Sequence, residues 1–289
     1  MRWAPTQLPE MHQRMLSTAR DAHLASDEVR SIRATMAVHL DHAELFWVSR
    51  DMGRVMLDAS GDLPDWTPAA VIPARSGIMC FAEPMPPTEI GGVPPQAWLP
   101  GPDGEPEPPS APLSGIAWAK SGPHVQIYEL MRTEDLVRAA PNIALPPNLP
   151  LWASSVLHPL PALQPVEPAD GAAAAFLAMI GSAWILMQQP TVADQRPVRP
   201  GSKAARRRSS HDHGVTLIDL RRLQHRPADS DQPASSRQYQ HRWLVRGHWR
   251  QQAYGPEQSL RKPVWVPSYI KGPADAPLKE RPHVHVWRR

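Results

Sequence analysis

Cysteine is almost absent: Cys80 is the only one in 289 residues. No internal disulfide can form, and a zinc site built on cysteine pairs is excluded. The apolar setting of Cys80, SGIMCFAEP, suits a thiol that points into a core. Long apolar runs are scarce as well. The N-terminal segment MRWAPTQLPEMHQRMLSTARDAH contains no apolar stretch of the secretory kind, so a cytoplasmic location is expected. The one extended run, Gly171 to Met187, stands at the lower edge of spanning length and is rich in Ala and Gly, which gain little in lipid. It reads as a buried helix with Asp170 as N-cap and Pro190 beyond its end, and no membrane partner is expected. Internal repeats are missing. Gly91-Gly92 lies in a Pro-rich loop without the strand-then-helix context of a phosphate loop. Asp51, Asp58, Asp62 and Asp65 are spaced for caps and turns, so no carboxylate pair for acid-base chemistry stands out. No cofactor is implied.

What the chain holds in excess is proline: 36 in 289 residues, against a background of about 5%. Proline lacks a backbone donor and ends helices and strands, so the elements should be short and the connections long. Residues 6–40 are polar and helix-favouring, with Leu8, Met11, Met15, Ala19 and Ala22 near a three-to-four spacing, which predicts one amphipathic helix and a second from about Asp27. ELFWV, from residue 44, reads as a strand, and Asp51 can cap a helix running through Ala59. A turn at Asp65-Trp66 follows. Next come the strand-like IMCFAEP (78–84), a Pro/Gly-rich loop (84–112), GIAWAK (115–120) and HVQIYEL (124–130). Ser121-Gly122-Pro123 between the last two is a hairpin signal. Thr133 can cap the short helix EDLVRAA, and 141–169 carries no periodicity. VTLIDLRRL (215–223) alternates as a strand, between two stretches, 190–213 and 224–238, that read as disordered loops. Trp47, Trp66, Trp98 and Trp118 are expected as core or loop anchors.

The expected fold class is α+β: N-terminal helices, a small mostly antiparallel sheet, one buried Ala-rich helix and a C-terminal antiparallel basic sheet. A length prior of about 150 residues per domain points to two main domains. Residues 1–40 would be a helical hairpin and 41–189 an acidic α+β domain. Residues 190–238 would be a largely disordered basic linker with one strand, and 239–289 a basic aromatic β module. The alternative is one sheet interrupted by disordered insertions, in which case the boundary near 190 is only a flexible loop.

Charge is distributed unevenly. Residues 1–195 carry 11 Lys+Arg against 21 Asp+Glu, while residues 196–289 carry 20 against 7. A net charge of +3 therefore conceals an acidic body and a cationic C-terminal third, the electrostatic footprint of a polyanion partner. Read as one strand, residues 239–250 place Tyr239, His241, Trp243, Val245, Gly247 and Trp249 on one face. Arg242, Arg246 and Arg250 then alternate with Leu244 and His248 on the other. Arginines four residues apart in a strand lie about 13 Å apart, and alternate positions about 6–7 Å. Such a stripe fits contacts to a nucleic-acid backbone, which supply affinity without sequence selectivity. Lys271, Arg261, Lys262, Arg288 and Arg289 would extend it, and the ARRR run (205–208) would add a flexible arm. Tyr254, Trp265 and Tyr269, nearer to loops, are the candidates for base stacking.

The same residues carry a resemblance. His241-Arg242-Trp243, Val245-Arg246-Gly247-His248-Trp249-Arg250, Gln252 and Tyr254 precede Trp265, Pro267, Tyr269 and Lys271-Gly272-Pro273. This pattern resembles a family of actinobacterial and actinophage proteins that end in an HRW-VRGHWR-Q-Y segment followed by W-x-P-Y-x-KGP. The resemblance covers about residues 180–289; it implies a family and no activity.

Three function classes follow. The first is an accessory protein of an actinobacterial chromosome, plasmid or phage that binds nucleic acid through its cationic module. The second is a nuclease in which His248, between Arg246 and Arg250, acts as general base. The third is a protein-interaction module without nucleic-acid binding. The H-x-H pairs His211/His213 and His283/His285 lack a carboxylate at ligand spacing, so no metal site is expected.

Overall fold

The run Leu45-Phe46-Trp47-Val48 forms an inner strand of the computed structural model, which describes residues 3–20, 27–90, 98–100, 103–141, 145, 149–153, 158–167, 169–198, 214–221, 240–273 and 276–277. Contacts divide the chain into two units, Met1–Leu220 and Arg221–Arg289.

In the first unit the helices α1 (Leu8–Arg20) and α2 (Asp27–Leu40) lead into strand β1 (Glu44–Val48), followed by α3 (Arg50–Ser60), α4 (Pro68–Val71) and β2 (Ser76–Glu89). After the short pair β3 (Leu99–Pro100) and β4 (Pro106–Glu107) come β5 (Ser110–Ser121), β6 (His124–Arg132), α5 (Thr133–Ala139), β7 (Leu151–Ala153) and β8 (His158–Pro161). Helix α6 (Ala172–Met187) and strands β9 (Ala193–Val198) and β10 (Val215–Leu220) complete the unit. The main sheet has the order β7-β6-β5-β2-β1-β10-β9, with β8 also pairing with β6.

The fold is α+β as expected, with a large mixed sheet. One inner strand departs from the antiparallel expectation: β1 runs parallel to both β2 and β10. Four of its five residues are buried, the pattern of a strand covered on both faces. Leu45 and Trp47 face one side, where Ile78, Cys80, Ala117, Tyr128 and Leu130 join them under Leu8, Met15, Leu16, Met36 and Leu40 from α1 and α2. On the other side Phe46 stacks on Trp118 at 5.8 Å between ring centroids, Trp118 meets Trp184 of α6 at 5.4 Å, and Trp184 meets Trp66 at 5.9 Å. Gly77 makes this possible: it lies opposite Trp118 in the ladder, and a Cβ there would fall 2.3 Å from Trp118 Cζ2.

Helix α6 is apolar all round and buried from Met179 to Met187, and the Ser182 hydroxyl is satisfied by the Met56 and Met179 carbonyls at 2.8 and 2.9 Å. Among the described residues, no helix is long and apolar enough to cross a membrane. Cys80 is buried in the core, and burial pushes its thiol pKa up. The β5–β6 hairpin turns at Gly122, which has φ +56°.

Several sequence expectations require correction. The helical hairpin is not a separate domain, because α1 and α2 share one apolar cluster with the sheet. Nor does a boundary fall at 189/190: residues 193–198, expected as irregular, form β9, and β10 inserts between β9 and β1. The expected loop 84–112 is partly strand. β2 continues to Glu89 through Pro84, Pro86 and Pro87 by shifting register near Met85, the kind of irregularity at which proline is tolerated. Ser49, rather than Asp51, caps α3, accepting from the Met52 amide; Gly171 at φ 103° takes the position expected of Asp170, and Arg132 that of Thr133. Residues 199–213 and 222–239, which hold most of the expected loops and the ARRR run, lie outside the described residues.

Candidate nucleic-acid interface

The second unit, residues 221–289, carries 14 Lys+Arg against 5 Asp+Glu. Its strands are β11 (Trp243–Val245), β12 (His248–Tyr254), β13 (Leu260–Val266) and β14 (Tyr269–Lys271). They form two antiparallel ladders, β11 with β14 and β12 with β13, in place of the single basic sheet expected.

The expected strand 239–250 is therefore broken at Arg246-Gly247. Gly247 is where Trp265 needs room: a Cβ on it would stand 2.3 Å from Trp265 Cζ2. Trp265 is only 4% exposed and meets Trp249 edge-to-face at 5.3 Å. Its expected role as a stacking platform is thus overturned, since its ring is spent on packing within the unit. Trp243 and Trp249, placed on one face by alternation, lie in different ladders.

The break also divides the arginine stripe. Arg242, half-buried at the start of the first ladder, donates through Nε to the Ala276 carbonyl at 2.7 Å, while its backbone N–H donates to Pro277 at 2.9 Å. Arg246 is exposed at the joint, and Arg250 is exposed on β12. In the β12–β13 register, Arg250 pairs with Val264, Gln252 with Lys262 and Tyr254 with Leu260. Alternation puts Arg250, Lys262 and Tyr254 on one face of this ladder. Lys262 Nζ lies 5.3 Å from the Tyr254 ring centroid, and Arg250 donates to Gln252 Oε1. Arg261 falls on the opposite face and donates to the Gln258 carbonyl at 2.8 Å. In the other ladder Lys271 pairs with Trp243 and Tyr269 with Val245, so Lys271 and Tyr269 share a face. His248 is exposed, with Nδ1 3.1 Å from the Arg246 carbonyl. A carbonyl only accepts, so Nδ1 carries the proton in this contact.

The two units treat their cations differently. In the first, Arg14 pairs with Glu10, Arg20 with Asp41, Arg50 and Arg54 with Glu83, Arg132 and Arg138 with Asp135, and Arg196 with Asp219. From residue 240 onward the described residues include Arg242, Arg246, Arg250, Arg261, Lys262 and Lys271 but a single carboxylate, Glu257, and none of these six cations is ion-paired among the described residues. Sequence reasoning identified the cations but missed the Lys262–Tyr254 pairing. That pairing comes from the backbone: Gly255 (φ +78°), Glu257 and Gln258 (φ 51° and 56°) shape a turn that brings positions 254 and 262 diagonally together. No group of three His, Cys, Asp or Glu among the described residues is placed to hold a metal. His211, His213, His283 and His285, like Arg288 and Arg289, lie outside those residues.

No protein-family profile and no curated protein sequence matches the chain. A solved structure of AcrVA2 is similar at a TM-score of 0.43 and 12% identity, over 91% of this chain and 93% of that one.

Proposed function

We propose that the protein binds nucleic acid through its C-terminal unit, by contacts to the phosphate backbone. The observation that carries this reading is the set of six cations on and between the two ladders that have no ion-pair partner among the described residues, whereas the first unit's arginines are largely compensated. Cations left unpaired repel one another and favour an anionic partner. The polymer with regularly spaced charge answers a run of such groups better than a single anion does. Contacts of this type carry no base code, so affinity should depend strongly on salt and weakly on sequence.

The test is binding of the full chain to labelled oligonucleotides by fluorescence anisotropy across a salt series. If Arg246, Arg250, Lys262 and Lys271 neutralise about four phosphates, log K falls with log salt at a slope of about −3 to −4. Replacing these four by Gln should leave the circular dichroism spectrum unchanged and remove most of the affinity. A folded variant that binds as wild type, or no binding by the wild type at about 50 mM salt, a concentration at which backbone contacts are strong, would overturn the proposal.

A further inference from the structure

We infer that the nucleic acid is single-stranded, with unpaired bases stacked on Tyr254 and Tyr269; this rests on the nucleic-acid reading above. Both tyrosines are exposed, at 42% and 41%, whereas Tyr128 is fully buried in the first unit. Leaving a large ring in water on a small unit forgoes apolar burial that the unit needs, since two-stranded ladders are marginal by themselves.

Each exposed ring shares its face of the ladder with a lysine. Lys262 Nζ is 5.3 Å from the Tyr254 centroid. Lys271 is two positions from Tyr269 on the same face of β14, a separation of about 7 Å along the strand. The combination of ring and cation thus occurs once in each ladder, and a nucleotide offers the matching combination of base and phosphate. Leu260, 49% exposed and opposite Tyr254 in the register, widens that platform with apolar surface. A duplex keeps its bases stacked on one another and would engage only the cations. A single strand presents π-faces of any sequence, and stacking on aromatic side chains is the usual sequence-tolerant device for holding it.

The experiment compares three probes of equal length on the full chain: a thymidine oligonucleotide, an abasic single strand with the same phosphates, and a blunt duplex. The thymidine strand should bind at least about tenfold more tightly than the abasic one. Tyr254→Ala or Tyr269→Ala should each lower affinity for the thymidine strand by about fivefold to 150-fold and leave the abasic strand unaffected. Tyr→Phe at either position should bind nearly as wild type, because the ring is retained. Equal affinity for all three probes, or alanine variants that bind thymidine as wild type, would sink the single-strand inference while leaving backbone binding intact. Failure of every probe to bind would remove both.

Discussion

Gly247→Ala is the sharpest probe of how the C-terminal unit is held. The added Cβ would stand 2.3 Å from Trp265 Cζ2 and 3.0 Å from Cε2. An ordinary carbon–carbon contact is about 3.5 Å or more, so the indole must retreat by about 1.2 Å. It has little room, being 4% exposed and in contact with Trp249. Crowding at a packed site costs about 1–3 kcal/mol, a large share of what a pair of two-stranded ladders can offer. Opening of β12 and β13 should become about fivefold to 150-fold more frequent. Amide exchange followed by mass spectrometry on the full chain reads this directly. Residues 248–254 and 260–266 should exchange faster by that factor, while β1 and β6 remain as in wild type. Gly214→Ala, where an added Cβ meets nothing within 4 Å, serves as the control. Unchanged exchange in both C-terminal strands would refute the view that Trp265 packed on Gly247 holds the ladders in place.

Two further outcomes concern the first unit. Gly181→Ala in α6 puts a Cβ 2.5 Å from Trp66 Cε2; the crowding, about 1–3 kcal/mol, should outweigh a helix-propensity gain of at most about 1 kcal/mol, so a calorimetric Tm at or above wild type would contradict the packing of α6 on Trp66. His39, 2.9 Å from the Tyr128 hydroxyl, has its pKa lowered from 6.5 by burial, whereas the same cause raises Tyr128 to about 12. The unfolded chain then binds the His39 proton before the native state does, so stability should fall as pH drops below about 6.5. The urea midpoint should fall less in His39→Gln than in wild type between about pH 7.5 and pH 5.5; equal falls would remove His39 from the acid response.

Some of this molecule was legible in residue order alone. The apolar stretch of ELFWV marked a strand, Ser121-Gly122-Pro123 between two strand-like runs marked a hairpin, and the apolar run to Met187 marked a buried helix. These are local signals: the period of apolar residues and the chemistry of turns act within a few residues of one another. The excess of positive charge toward the C-terminus is likewise a property of the sequence, and it directed attention to the ladders that carry the proposed interface.

Other features were decided by tertiary packing. No local pattern says that Val215 returns to lie beside Leu45, or that α1 and α2 cover the face shared by Trp47 and Cys80. Pairings of that range depend on complementary volumes, as where Gly77 admits Trp118 and Gly181 admits Trp66. The candidate site shows the same division. Alternation assigned Arg242, Arg246 and Arg250 to one continuous face, yet the bulk of Trp265 needs the space over Gly247, and the strand breaks there. Residue order determined that the C-terminal residues would be cationic and aromatic, because composition survives any folding. Which rings are buried and which stand beside a lysine in water was settled only by register, because a side chain's neighbours across a ladder come from another part of the chain.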